Sequence, residues 1–250
     1  MTAYQAIALD VGGVIYYDEP FDLAWIHEIL GRAQAVDPSF TLPDLISDMT
    51  AFYGAGRQPR DRSNTVFSQP PARESWLAVR RRWNTLVQPI SGAVDAVRQL
   101  AERYNVCVVA NQPPECVEAL DRLGIGDVLQ PVALDSIVRY AKPDPRLLDW
   151  ALSRLGCPPA EMLVVGNRWD HDIVPAQALG CPATLIRPDD GWSAPPRSHP
   201  DIVTAYRRLR AQSVSPPIPG DAVIVLGSLA ELAAALVPAF TGPLDHARPA

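Results

Sequence analysis

Six short apolar runs recur along the chain, separated by stretches in which apolar residues return every three or four positions. The runs fall at 4–10, 105–111 (NVCVVAN), 128–134 (VLQPVAL), 161–167 (EMLVVGN), 182–186 (PATLI) and 221–227 (DAVIVLG). Near-continuous apolar runs of this length predict strands buried on both faces, as in a parallel sheet. The helical stretches between them, 91–103, 114–124, 144–156 and 173–180, mostly stop at Gly, a common helix terminus. This alternation predicts an α/β fold with helices on both faces of the sheet. Three of the strands end in a polar residue: Asp10, Asn111 and Asn167. The carboxyl edge of an open α/β sheet is where ligands bind, so topology alone predicts a site there. After Asp10, Gly12 and Gly13 permit a tight turn and leave room for a ligand beside the main chain.

Residues 16–88 break the alternation. They read as helices at 21–35, 42–54 and 72–87, with an Arg-, Pro- and Ser-rich bridge at 57–71. The expectation is a helical cap, 16–88, inserted into a core made of 1–15 and 89–250 and placed to cover the site. The stretch 188–220, rich in Pro, Asp and Ser, carries one amphipathic helix near 199–212 and is expected to be a surface excursion.

Composition narrows the class. The chain has 250 residues, 48% of them hydrophobic, enough for a full core. A net charge of −6 argues against nucleic acid as a partner. No apolar stretch reaches membrane-spanning length and no signal peptide is evident, so a cytoplasmic protein is expected. Cys107, Cys116, Cys157 and Cys181 lack metal spacing and are expected as buried free thiols. Lys142 is the single lysine beside 21 arginines, so any role that needs an amine has one candidate.

A first strand ending in Asp, a second ending in Ala110-Asn111, then "AKPDP" and "VVGNRWDHDIVPAQALG" occur in that order. Together they resemble the haloacid dehalogenase-like superfamily over nearly the whole chain. The resemblance implies a Rossmann-like core and a magnesium-dependent phosphatase acting on a small anionic substrate. Asp10 would attack phosphorus and Lys142 would neutralise nucleophile and phosphate together. Mg²⁺, held weakly, would take Asp10, the Gly12 carbonyl, Asn167 and Asp172 as ligands, and Gly13, Ala110 and Asn111 would line the phosphate.

Three positions depart from that pattern. Gly12 stands where such enzymes carry an acid/base Asp, Ala110 where a Ser or Thr hydroxyl belongs, and Asn167 where a carboxylate does. Losing a general acid costs roughly 10²–10⁴ in rate, and a lost hydrogen bond to a charged oxygen about 1.5–3 kcal/mol. Two readings stay open: a specialised phosphatase, or a repurposed fold that binds a ligand or runs other chemistry. Dehalogenase chemistry is disfavoured because Asn167 to Gly180 spans two residues too many, and the phosphonate-cleaving branch because the cap has no lysine. With no acid at Gly12, good leaving groups are expected to be favoured unless Tyr17, Asp18 or Glu19 substitutes. Asp172 has an alternative role as a helix N-terminal charge. Asp170 is expected as a structural acceptor, and Arg80-Arg81-Arg82 as a solvated face. His171 is the histidine nearest the motifs.

Overall fold

The computed structural model describes residues 4–54, 65–213 and 223–237. Residues 57–64 of the expected bridge at 57–71 and the segment 214–222 lie outside the described residues. All six expected strands form: β1 (Ala6–Leu9), β2 (Asn105–Ala110), β3 (Leu129–Leu134), β4 (Met162–Gly166), β5 (Ala183–Ile186) and β6 (Ile224–Leu226). They pair in parallel in the order β3-β2-β1-β4-β5-β6. That is a Rossmann-like order, with β1 at its centre.

Strand alternation explains why the runs are apolar throughout. Ile7 and Leu9 face one hydrophobic cluster with Val106, Val108 and Val165, while Ala6 and Ala8 face another with Cys107, Val109 and Val164. The first face is covered by α4 (Ala93–Ala101), α5 (Glu115–Arg122) and α10 (Leu229–Leu236). The second is covered by α7 (Arg146–Leu155) and the short α8 (Val174–Ala178). α10 lies outside the helical stretches expected from the sequence, and its Ser228 cap accepts the Glu231 N–H at 3.2 Å. The four cysteines are free and buried, as expected.

The segment 16–88, expected as a cap, carries α1 (Glu19–Val36), α2 (Leu42–Gly54) and α3 (Pro70–Arg80). Tyr17 N–H donates to Gln88 at 3.0 Å and Ile90 N–H to Ile15 at 2.9 Å, tying together the chain's entry to the cap and its exit. The expected surface excursion instead packs against these helices. Trp192 and the apolar face of α9 (Pro200–Ser213), Ile202, Tyr206 and Leu209, are buried with Leu23, Ile26, Leu45 and Met49. Tyr206 donates to Asp22 at 2.6 Å and Arg210 pairs with Glu19 at 2.7 Å. Spacings of four and three residues made one apolar stripe on α9, and that stripe required a partner.

Candidate active site

The Asp10 N–H continues the β1–β4 ladder, donating to Val165 at 2.8 Å. Its side chain therefore leaves the sheet level with the ends of the central strands. The following turn closes through Gly13 N–H to the Tyr16 carbonyl at 2.8 Å, with Gly13 at φ +69°. That left-handed conformation suits glycine. Asn167 fits against it, since a Cβ at Gly13 would lie 1.9 Å from the Asn167 Nδ2.

Lys142 is buried, and its ammonium bridges two carboxylates. Nζ stands 2.9 Å from Asp10 Oδ1 and 2.5 Å from Asp172 Oδ1. Burial works against the ammonium, but the charges of Asp10 and Asp172 outweigh it and hold Lys142 protonated well above the ordinary lysine range. The Asp10 carboxyl is raised as well, which for an acid favours the neutral form. Burial raises its carboxyl, Asp172 adds to this, and Lys142 opposes it. Asp172 is fixed by a second bond, from the Arg168 N–H to Oδ2 at 2.9 Å. Its burial beside Lys142 places it in the site, beyond any role as a helix-terminal charge.

Asn111 has a clear use. Its Oδ1 accepts the Lys142 N–H at 2.7 Å and its Nδ2 donates to the Lys142 carbonyl at 2.9 Å. Both ends of the amide are engaged by the main chain of Lys142, so Asn111 positions the lysine. Ala110 is fully buried and offers only its main chain. The structure thus brings together Asp10, Lys142, Asp172, Asn111 and Asn167, all beyond strand ends.

The remaining candidates fall to the side. Asp170 pairs with Arg168 and lies 2.9 Å from His171 Nδ1. Burial opposes ionisation of Asp170, but the adjacent His171 and the hydrogen bonds from Arg168 win and hold it well below the usual carboxylate range. Arg80 forms a paired contact to Glu115 at 3.0–3.1 Å and Arg82 a single one to Glu28 at 3.0 Å, so these two arginines serve ion pairs. Asp18 is the residue the sequence left unresolved. It is partly buried, and burial followed by the charges of Glu19, Asp22 and Asp10 raises its carboxyl to about 7, against a smaller opposing pull from Arg210.

Magnesium is the cofactor implied by the family resemblance, and the donors available are hard oxygens: two carboxylates, one amide and one carbonyl. They suit that ion in type. Among the described residues no group of three or more His, Cys, Asp and Glu forms a metal cluster, so the anionic share is small. No helix among the described residues is long and apolar enough to cross a membrane.

Comparison with known proteins bears on the family and the fold. The family described as haloacid dehalogenase-like hydrolase matches residues 4–180. Glyceraldehyde 3-phosphate phosphatase of Methanothermobacter thermautotrophicus is 38% identical over 69 residues, 28% of this chain, and the match spans only 30% of that protein's length. Phosphoglycolate phosphatase of Pectobacterium atrosepticum is 28% identical over 196 residues, 72% of this chain and 79% of that protein. Among solved structures, Bacillus subtilis YfnB bound to magnesium superposes with a TM-score of 0.65 at 17% identity, over 94% of this chain and 99% of the other, a likeness of fold. The chain belongs to the haloacid dehalogenase-like hydrolase family.

Proposed function

We propose that the protein is a phosphatase for a small phosphorylated metabolite, working through a phosphoaspartate on Asp10. The observation that carries this reading is the Lys142 ammonium held between Asp10 and Asp172, 2.9 and 2.5 Å away, at the carboxyl edge of the sheet. Asp10 Oδ attacks phosphorus as the bond to the substrate oxygen breaks. Lys142 balances the charge that gathers on nucleophile and phosphoryl oxygens, and Asn111 keeps its main chain in register. Water then attacks phosphorus, releasing inorganic phosphate and restoring the Asp10 carboxylate. Ala110 provides no hydroxyl for the phosphate, and the absent Gly13 side chain leaves the space that the Asn167 amide fills.

Asp10, Asp172, the Gly12 carbonyl and the Asn167 side-chain oxygen would hold Mg²⁺, weakly because two of the four are neutral. When bound, the cation screens the repulsion between Asp10 and the phosphate. Asn167→Asp is expected to tighten Mg²⁺ binding about tenfold or more, since a hard cation prefers anionic oxygen. Titration calorimetry of both proteins reads this directly, and equal affinities would remove Asn167 from the ligand set. The four buried free thiols suit a reducing compartment, and the cytoplasm is the location proposed.

The relatives named above suggest where to begin. The test is phosphate release from phosphoglycolate, glyceraldehyde 3-phosphate and 4-nitrophenyl phosphate, with and without Mg²⁺. Turnover of at least one, raised by Mg²⁺, is expected. No turnover of any would favour the repurposed fold.

A further inference from the structure

We propose that Asp18, at the start of α1, is the carboxyl that transfers protons in this site, taking the place that Gly12 leaves empty. The proposal rests on the phosphatase reading above. A Cβ built on Gly12 would lie 2.2 Å from Asp18 Oδ1, 2.4 Å from Oδ2 and 2.5 Å from Cγ, and these are its three nearest heavy atoms. Gly12 is not among the residues with positive φ, so its backbone accepts a side chain. What excludes one is the Asp18 carboxyl. A side chain at 12 would place its next carbon about 1.5 Å beyond that Cβ, in space the Asp18 carboxyl already fills.

Asp18 reaches this position by giving up an ordinary role. It is the N-cap of α1, yet its side chain makes no capping bond. A capping Asp accepts from the first turn and contributes roughly 0.5–2 kcal/mol. Here the carboxyl turns toward the Gly12 loop, and among the described residues no hydrogen bond or ion pair engages it. Its neighbours are taken: the Tyr17 hydroxyl donates to Asp189 at 2.6 Å and Glu19 pairs with Arg210 at 2.7 Å. Of the three polar side chains that follow the turn, Asp18 alone faces the loop beside Asp10.

The chemistry balances with this residue. As Asp10 bonds to phosphorus and the P–O bond to the leaving group breaks, the proton of the Asp18 carboxyl passes to the departing oxygen, giving a free alcohol. In the second step water bonds to phosphorus, its proton returns to Asp18, and the Asp10–phosphorus bond breaks. Alkyl phosphates then become competent substrates, and a restriction to good leaving groups becomes the property of an Asp18 variant.

Rapid-mixing kinetics of wild type and Asp18→Asn on 4-nitrophenyl phosphate and on phosphoglycolate test this. A phenolate of pKa ~7 leaves with little help, whereas an alkoxide needs the proton, worth roughly 10²–10⁴ in rate. Asp18→Asn is expected to keep a burst of one nitrophenolate per site, followed by slow turnover with phosphoenzyme accumulating. On phosphoglycolate it should show no burst and a loss of about 100-fold or more. Equal losses on both substrates with no phosphoenzyme would overturn the proposal and leave Asp18 a structural residue. If wild type turns over neither substrate, the phosphatase reading fails first and this proposal falls with it. Should Asp18→Asn not fold, Asp18→Ala and Asp18→Ala/Gly12→Asp replace it. The single variant is expected to lose phosphoglycolate turnover and the double variant, with a carboxyl returned from position 12, to regain it; a single variant that keeps phosphoglycolate turnover, or a double variant no better than the single, would contradict the proposal.

Discussion

Asp10→Asn is expected to abolish phosphate release from every substrate, a loss on the order of 10⁴–10⁶, the range seen when members of a catalytic unit are deleted. The variant should fold. Burial raises the Asp10 carboxyl even with Lys142 beside it, so the native state accommodates a neutral group there more readily than an ionised one. The sign follows from linkage. A carboxyl raised in the folded state contributes stability below its unfolded value and loses that contribution as pH rises through its folded value. At pH 8, where Asp10 is ionised in both states, Asn should therefore match or exceed Asp in thermal stability, and the advantage should vanish in acid. Loss of activity with melting temperature preserved separates a chemical role from a structural one.

Lys142→Met should damage both properties. The methionine fills the volume but leaves Asp10 and Asp172 facing each other without the ammonium now 2.9 and 2.5 Å away. Breaking a buried ion pair from one side costs about 3–5 kcal/mol, and at roughly 2–4 °C per kcal/mol for a chain of this size the melting temperature should drop clearly. The deficit should shrink from pH 8 to pH 5, because Asp10, already raised by burial, takes up a proton and relieves the repulsion. Activity should fall about 10²–10³, the cost of removing one preorganised electrostatic contact. Scanning calorimetry at the two pH values checks the stability claim. A deficit independent of pH would mean that the carboxylates do not depend on Lys142 for their charge.

Much of this site was legible in the sequence because its residues sit where strands end. Asp10, Asn111 and Asn167 each follow an apolar run, and the sheet order sets β1 between β2 and β4. Lys142 was legible for another reason, as the one amine in an arginine-rich chain. Three features were legible only in part. The apolar stripe of α9 was visible, but its partners Leu23, Ile26 and Met49 lie more than 150 positions earlier, and Pro, Asp and Ser around it gave the appearance of a loop. Asp18 could be named only together with Tyr17 and Glu19, because the reach of a side chain past a turn is set by the fold, and only the three-dimensional turn at Gly12–Gly13 shows which carboxyl lies beside Gly12. The specific role of Asn111 was hidden likewise, since its contact with Lys142 crosses 31 positions.

The measurement closest to the central claim is acid quenching during turnover of 4-nitrophenyl phosphate, followed by peptide mapping by mass spectrometry. Asp18→Asn serves as the enzyme in which the intermediate accumulates, with wild type and Asp10→Asn alongside. The account predicts one phosphoryl group on the peptide that contains Asp10, released by hydroxylamine as an acyl phosphate is, and none in Asp10→Asn. Phosphorylation of a different residue, or turnover that survives Asp10→Asn, would contradict it.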